Sequence, residues 1–278
     1  MIESYRVIVV TPAGRERYLR VLAGHVLHSP LVDEWHLWQN TNDANDLNFL
    51  RELAALHPRV KLIAPPVEPP NGIATIGQFF RTAIDRDAIY VRMDDDLVWL
   101  EPDFFTRLLQ ERLADREALF VYPLIVNNAV CSWLLQAAGK VKFSVRVHPW
   151  CLDMAAWHSG EFAEVLHRWF LERMHDDRLD ELRFEPVTAS LSRVSINCIS
   201  WFGVDLALFG GVFPVADEEE YASVTLPLEL GLVNRITGRA ICAHFAFYPQ
   251  REHLDGTDIL ARYAALAPKV LLPEPALA

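Results

Sequence analysis

Hydrophobic residues in this chain fall into two patterns, short uninterrupted runs and longer stretches with helical spacing. Residues 5–10 form a largely β-branched run, as expected of a strand buried on both faces of a parallel sheet. The stretch 15–28 then carries Tyr18, Leu19, Leu22, Val26 and Leu27 on one helical stripe. The same alternation predicts a strand at 34–38, a helix from about 46 to 57 and a strand at 60–64. A proline-rich loop, 65–72, leads to a short helix with Ile76, Phe79, Phe80, Ala83 and Ile84 on one side. An apolar strand from Ala88 ends in Asp94-Asp95-Asp96, and a second apolar run follows. Pro102 opens a helix that faces Phe104, Phe105, Leu108 and Leu109 inward.

Residues 118–126 read as another strand, ending in Asn127-Asn128. The middle third, 129–193, is less regular. Its clear element is a helix over 161–174, with Phe162, Val165, Leu166, Trp169 and Phe170 at helical spacing, followed by a solvated connector at 175–181. Strands are expected at 195–200 and 240–248, and a last helix at 257–266.

Repeated strand–helix units imply an α/β fold, a single doubly wound, mostly parallel sheet flanked by helices. No flexible linker or repeat interrupts the 278 residues, so one domain is expected. It divides into a regular strand–helix half (about 1–128), a less regular half (about 129–250) and a C-terminal helix and tail (251–278). The formal charge of −11 and the absence of a basic run argue against a nucleic-acid partner. Cys131, Cys151, Cys198 and Cys242 lack metal-ligand spacing and read as reduced, buried thiols of a cytoplasmic protein. Neither a signal peptide nor a transmembrane run is evident, which leaves peripheral membrane contact open.

The acid triplet changes the picture. Two unit charges about 4 Å apart repel by roughly 4 kcal/mol at an effective dielectric near 20, so crowded carboxylates need a positive partner. A hard divalent cation is the simplest one. In open α/β sheets ligands gather beyond the carboxyl ends of the strands. The polar strand ends Thr11–Arg15, Asn40–Asp43, Asp94–Asp96 and Asn127-Asn128 should therefore share one rim. Arg15, at a helix start, is a candidate for phosphate contact, with Arg81 a second. Asp43 either holds a ribose or base or caps the following helix.

An apolar strand ending in Met93-Asp94-Asp95-Asp96, after a βαβ half, resembles the GT-A class of nucleotide-sugar glycosyltransferases. The later Phe209-Gly210-Gly211-Val212-Phe213-Pro214, followed by Asp217-Glu218-Glu219-Glu220, resembles their glycine-then-acid acceptor segment. His244 sits where many members place a further metal ligand. The resemblance implies Mn2+ or Mg2+ held by Asp96, Asp94 and His244, with Asp94 also a candidate for the ribose. It implies a nucleoside-diphosphate sugar donor, UDP-sugar favoured, bound by the half at about 1–128, and a glycan or other hydroxyl-bearing acceptor bound by the half at about 129–250. An inverting transfer needs a base on the acceptor hydroxyl. Glu218 is the first candidate, with Asp217 and Glu219 beside it, because the segment holds several acids where the family has a lone Glu-Asp. Trp150, Trp157 and Trp201 are candidate sugar-stacking surfaces.

Three rival readings give different signatures. A haloacid-dehalogenase-like phosphatase also uses a strand ending Asp-x-Asp, but on its first strand, whereas here the motif falls on about the fourth. A sugar-phosphate nucleotidylyltransferase needs a glycine- and Arg/Lys-rich loop after the first strand, and 11–17 is poor in glycine. A cation- or carbohydrate-binding module would bind metal without nucleotide.

Overall fold

The computed structural model describes residues 1–70, 72–189, 192–213 and 217–274. Asn71 of the proline-rich loop, Ser190 and Leu191 of the middle third, Pro214 of the glycine-containing segment and the tail 275–278 lie outside the described residues. The strands are β1 (Arg6–Ala13), β2 (Glu34–Gln39), β3 (Val60–Ile63), β4 (Ala88–Met93), β5 (Leu97–Leu100), β6 (Ala118–Val126), β7 (Val187–Thr188), β8 (Cys198–Phe202) and β9 (Val233–His244). They form one sheet in the order β3-β2-β1-β4-β8-β6-β9-β5, with β7 added to β9. β1, β2, β3, β4, β6 and β9 run one way, and β5, β7 and β8 run against them. This is the mostly parallel, helix-flanked α/β sheet that the apolar runs imply.

β4 and β6 are buried along their whole length and β1 along all but its first residue, as continuous apolar runs between covering helices should be. Helices surround the sheet, among them α1 (Glu16–His28), α2 (Ala44–Leu56), α3 (Ile73–Phe79), α4 (Phe104–Ala114), α5 (Ala129–Ala137), α6 (Gly160–His175) and, as the sequence pattern implies, a last helix, Ile259–Leu266. α1 turns Tyr18, Leu19, Leu22 and Val26 into the core. Among the described residues no helix is long and apolar enough to cross a membrane.

Four features depart from the sequence pattern. The apolar run after the acid triplet is a strand, β5, paired antiparallel with β9 at the far edge of the sheet. β9 begins at Val233, ahead of the expected 240, because polar Arg235, Thr237 and Arg239 interrupt its apolar signal. It ends at His244, short of the expected 248, and residues 245–247 lead to a 3-10 turn, Tyr248–Gln250. α5 occupies a stretch that read as irregular, its first turn capped by Asn128 Oδ1, which accepts from the Cys131 amide. Val165, expected on the inner stripe of α6, points to solvent at 52% exposure, while Phe162, Leu166 and Phe170 are buried.

In the segment before the acid cluster, Gly211 has φ +63°, and a Cβ there would meet the Phe80 carbonyl oxygen at 2.5 Å. A close backbone approach explains the glycine.

Candidate functional site

Parallel strands deliver their C-terminal ends to one rim. There the chain places Gly14 and Arg15 after β1, Asn40 after β2, the acid triplet after β4, Asn127 and Asn128 after β6, and His244 at the end of β9. β8 runs the other way and starts at the same rim, just after Asn197. A cleft of about 490 Å³ opens here, lined on one side by Pro12, Gly14, Asn40 and Ile76 and on the other by Trp157, Phe247, Tyr248 and Arg251. Its floor carries Arg92, all three aspartates of the triplet, Asn197, Glu218 and His244. The triplet crosses the sheet from central β4 to edge strand β5. It is pinned by the Asp94 amide donating to the Asn197 carbonyl and the Phe245 amide donating to the Asp96 carbonyl, each at 2.8 Å.

Each aspartate has its own environment. Asp94 Oδ1 pairs with Arg92 Nη2 at 2.8 Å, and Oδ2 accepts from Asn197 Nδ2 at 3.1 Å. Asp95, buried, accepts from the Gly14 amide at 3.0 Å and from two nitrogens of Arg15. Burial pushes its carboxyl up to about 6 in spite of Arg15, because Asp96 and Asp94 stand beside it. Asp96 Oδ2 faces Arg15 Nη1 at 2.8 Å and Arg251 Nη2 at 3.6 Å. Burial alone would raise Asp96. Arg15, and after it His244 and Arg251, outweigh burial and hold this carboxyl below the ordinary range.

The chain's own guanidinium groups thus supply most of the neutralisation that the sequence reading assigned to a metal ion. One carboxylate oxygen of the triplet is left over. Buried Asp96 Oδ1 has no hydrogen-bond partner, and it faces His244 Nε2 at 3.4 Å. His244 Nδ1 lies 3.2 Å from the Asn127 carbonyl, which only accepts, so Nδ1 carries a proton, and in the neutral imidazole Nε2 presents its lone pair to Asp96 Oδ1. Nε2 and Asp96 Oδ1 therefore need a positive group between them, either a proton on Nε2 or a metal ion. Asp94, Asp96 and His244 each offer a ligand atom, all within 4.8 Å of one another. The donor set fits a divalent ion.

A buried polar network fixes the segment that carries His244. Asn127 Nδ2 donates to the Phe245 carbonyl and to Gln250 Oε1, both at 2.9 Å. His167 Nε2 donates to the same carbonyl at 2.8 Å, and Tyr263 Oη donates to His167 Nδ1 at 2.9 Å. Burial keeps His167 neutral, its pKa lowered to about 4. Asn127 holds φ +60°, a conformation asparagine tolerates better than most residues. Asn127→Ala should therefore lower unfolding free energy by about 2–4 kcal/mol, through two lost buried hydrogen bonds and the left-handed backbone. Urea denaturation measures it, and a loss under about 1 kcal/mol would show the network to be dispensable.

Among the acids near residue 218, the geometry distinguishes three positions. Asp217 caps the helix Glu218–Glu220 and pairs with Arg193 at 2.9 Å. Glu219 accepts from Arg193 Nε at 2.9 Å at the cleft edge. Glu218 is turned inward, 3.9 Å from Arg92 Nη2, and burial pushes its carboxyl up to about 7.

Other candidates stand elsewhere. Thr11 is fully buried and accepts from Trp35 Nε1 at 2.9 Å. Asp43 is exposed and caps α2 by accepting from the Asn45 and Asp46 amides. Arg81 is exposed on the 3-10 turn Phe80–Thr82, away from the cleft lining. Arg15 does line the cleft, but its nitrogens are committed to Asp95 and Asp96. Trp201 is core, fully buried and stacked on Tyr90, so it offers no sugar platform. Trp157 lines the cleft, whereas Trp150 lies outside its lining. Arg92, Asn197 and Arg251 escaped the sequence reading. Arg92 could have been noticed as a lone charge in an otherwise apolar strand; the other two carry no local signal.

Comparison with protein-family models and with curated proteins finds no match. Solved structures do resemble the chain. The mannosyltransferase PcManGT from Pyrobaculum calidifontis, in complex with GDP-Man and Mn2+, gives a TM-score of 0.53 at 13% identity. That match covers 99% of this chain and 67% of the other. GalNAc-T7 with UDP, GalNAc and Mn2+ gives 0.51 at 11% identity, over 90% of this chain and 45% of the other. CMP:2-keto-3-deoxy-manno-octonic acid synthetase, complexed with CTP, gives 0.51 at 10% identity, over 94% and 99%. Identities this low carry the fold alone. The fold is of the GT-A type, in a form also shared by the CTP-bound synthetase.

Proposed function

We propose that this protein is a metal-dependent glycosyltransferase that moves a sugar from a nucleoside-diphosphate sugar to an acceptor hydroxyl, with inversion. The observation that carries the proposal is the unpartnered Asp96 Oδ1 facing His244 Nε2 on the floor of a rim cleft. Asp94, Asp96 and His244 would hold a divalent ion. Two carboxylates and an imidazole suit Mn2+ better than Mg2+, which prefers an all-oxygen shell. Such an ion supplies Lewis-acid neutralisation of the departing diphosphate.

The remaining work falls to the chain's own side chains. Arg15 locks the orientation of Asp95 and Asp96 and leaves Asp96 Oδ1 open. Arg251, part-exposed at the cleft wall with its Nε unpartnered, is placed to receive a diphosphate oxygen. Glu218 takes the proton of the acceptor hydroxyl as its oxygen bonds to the anomeric carbon and the sugar–phosphate bond breaks. A raised carboxyl pKa suits that base near neutrality. The cleft volume lies within the usual range for small-molecule sites.

The test is nucleotide release from UDP-, GDP- and dTDP-sugars with an alcohol acceptor, with and without Mn2+ or Mg2+. Cation-dependent release of nucleoside diphosphate from one donor class is expected. Pyrophosphate release from a nucleoside triphosphate and a sugar phosphate would replace the proposal with a nucleotidylyltransferase. Metal binding without nucleotide affinity would reduce it to a binding module.

A further inference from the structure

Between Glu117 and Asp153 the sequence contains no acidic residue, in a chain whose formal charge is −11. The second half of that stretch, residues 140–150, is Lys-Val-Lys-Phe-Ser-Val-Arg-Val-His-Pro-Trp. It lies over the end of α5 and packs on α6 through Phe143, which meets the rings of Phe162 and Trp169. Its backbone is fixed at two points. Gln136 Nε2 donates to the Val145 carbonyl at 2.7 Å, and Gln136 Oε1 accepts from the Val147 amide at 2.9 Å. Asp153 accepts from the amides of His148, Ala155 and Ala156. Held in this way, the segment presents Val145 at 44%, Trp150 at 51% and, one turn on, Met154 at 72% exposure.

Lys142, Arg146 and His148 are exposed among these apolar side chains. Among the described residues neither Lys142 nor Arg146 is in an ion pair, whereas most arginines of the chain are. The acids nearest the segment are engaged elsewhere. Asp153 is buried on backbone amides, Glu181, whose carbonyl accepts from Lys140, pairs with Arg173 and Arg178, and Asp217 and Glu219, beside Cys151, pair with Arg193. Lys142 and Arg146 also flank a shallow groove of about 600 Å³ with Trp133, Phe143 and Val145 along it.

We infer that this face docks on a lipid bilayer bearing anionic headgroups. Free cations beside exposed Trp, Met and Val are the combination an anionic interface selects, the cations meeting phosphates and the tryptophan seating at headgroup depth. A soluble polyanion would satisfy the cations and leave the apolar side chains in water. The acids elsewhere on the chain do not oppose docking at physiological salt, where the screening length is about 8 Å. The site is contiguous with the cleft: the turn Met154–His158 exposes Met154 and carries Trp157 into the cleft lining. Docking would hold the cleft mouth near the bilayer surface. The inference does not depend on the reaction proposed above.

Co-sedimentation of the full chain with phosphatidylcholine vesicles, with and without phosphatidylglycerol, tests it. Binding is expected only to the anionic vesicles and should weaken with added salt. A basic side chain at such a surface is worth about fivefold in binding, so Lys142→Ala/Arg146→Ala should lose about 25-fold and Lys142→Glu/Arg146→Glu considerably more. Trp150→Ala should lose about tenfold. Circular dichroism and cation-dependent nucleotide release should be unchanged in the Lys142/Arg146 variants. Equal binding to both vesicles, no binding to either, or retention of heparin by the protein without vesicle binding would each overturn the inference. So would charge-reversal variants that bind like the wild type.

Discussion

Asp96→Asn is expected to lower cation-dependent nucleotide release by about a thousandfold or more, the scale of several kcal/mol of lost transition-state stabilisation. The amide keeps the shape of the carboxylate but removes the charge at the triplet's buried carboxylate oxygen that lacks a partner. Asparagine is preferred to alanine here. Truncation would leave His244 and Arg251 facing a void, and breaking a buried charge set costs about 3–5 kcal/mol. A second readout avoids activity altogether. Mn2+ should raise the unfolding midpoint of the native protein, by up to about 2.7 kcal/mol at a hundredfold excess over Kd, and should fail to do so in the variant. Asp95→Asn is the matched control. Its oxygens serve the Gly14 amide and Arg15 and reach no ligand position, so it should cost stability yet keep the Mn2+ response. If Asp96→Asn retains both release and the Mn2+ shift, the metal site is misplaced.

The sequence made the rim legible for a physical reason. Strands buried on both faces must be apolar throughout, so β1, β4 and β6 stand out as unbroken runs, and the polar residues that end them mark where each meets solvent. Knowing only that the strands run parallel, one can place Gly14, Asp94 and Asn127 at the same edge. β9 was half hidden because its first part carries polar Arg235, Thr237 and Arg239 among its apolar residues, and pairing with β6 rather than local pattern makes it a strand. The electrostatics were less legible still. Crowded carboxylates imply a compensating charge but not its kind. Here Arg92 arrives from the same strand, Arg15 from the loop after β1 and Arg251 from far along the chain. The tryptophans show the same limit: Trp157 lines the cleft and Trp201 lies in the core, a difference set by tertiary packing.

Glu218→Gln separates chemistry from stability. As the acceptor's base, Glu218 should be worth about 10²–10⁴ in transfer rate, while nucleotide and Mn2+ binding stay near native because its carboxylate is absent from the Asp94, Asp96 and His244 set. Stability should move the other way. Burial raises this carboxyl from 4.5 to about 7, so between those values the folded protein holds a proton that the unfolded chain has released. Stability from this group is therefore complete below the unfolded value, falls as pH rises toward 7 and levels off above it. The loss approaches about 3 kcal/mol. Glutamine has no proton to lose, so the variant and native protein should be similarly stable at pH 4, and the variant more stable at pH 8 by up to that amount. Urea unfolding in EDTA at the two pH values measures the difference without interference from metal. The same titration predicts that transfer by the native protein rises through pH 7 as the base is freed. A variant that gains stability at pH 8 but still transfers sugar at the native rate would keep the buried carboxyl and dismiss it as the base. Activity would then have to be sought at Glu219, the neighbouring acid that also lines the cleft.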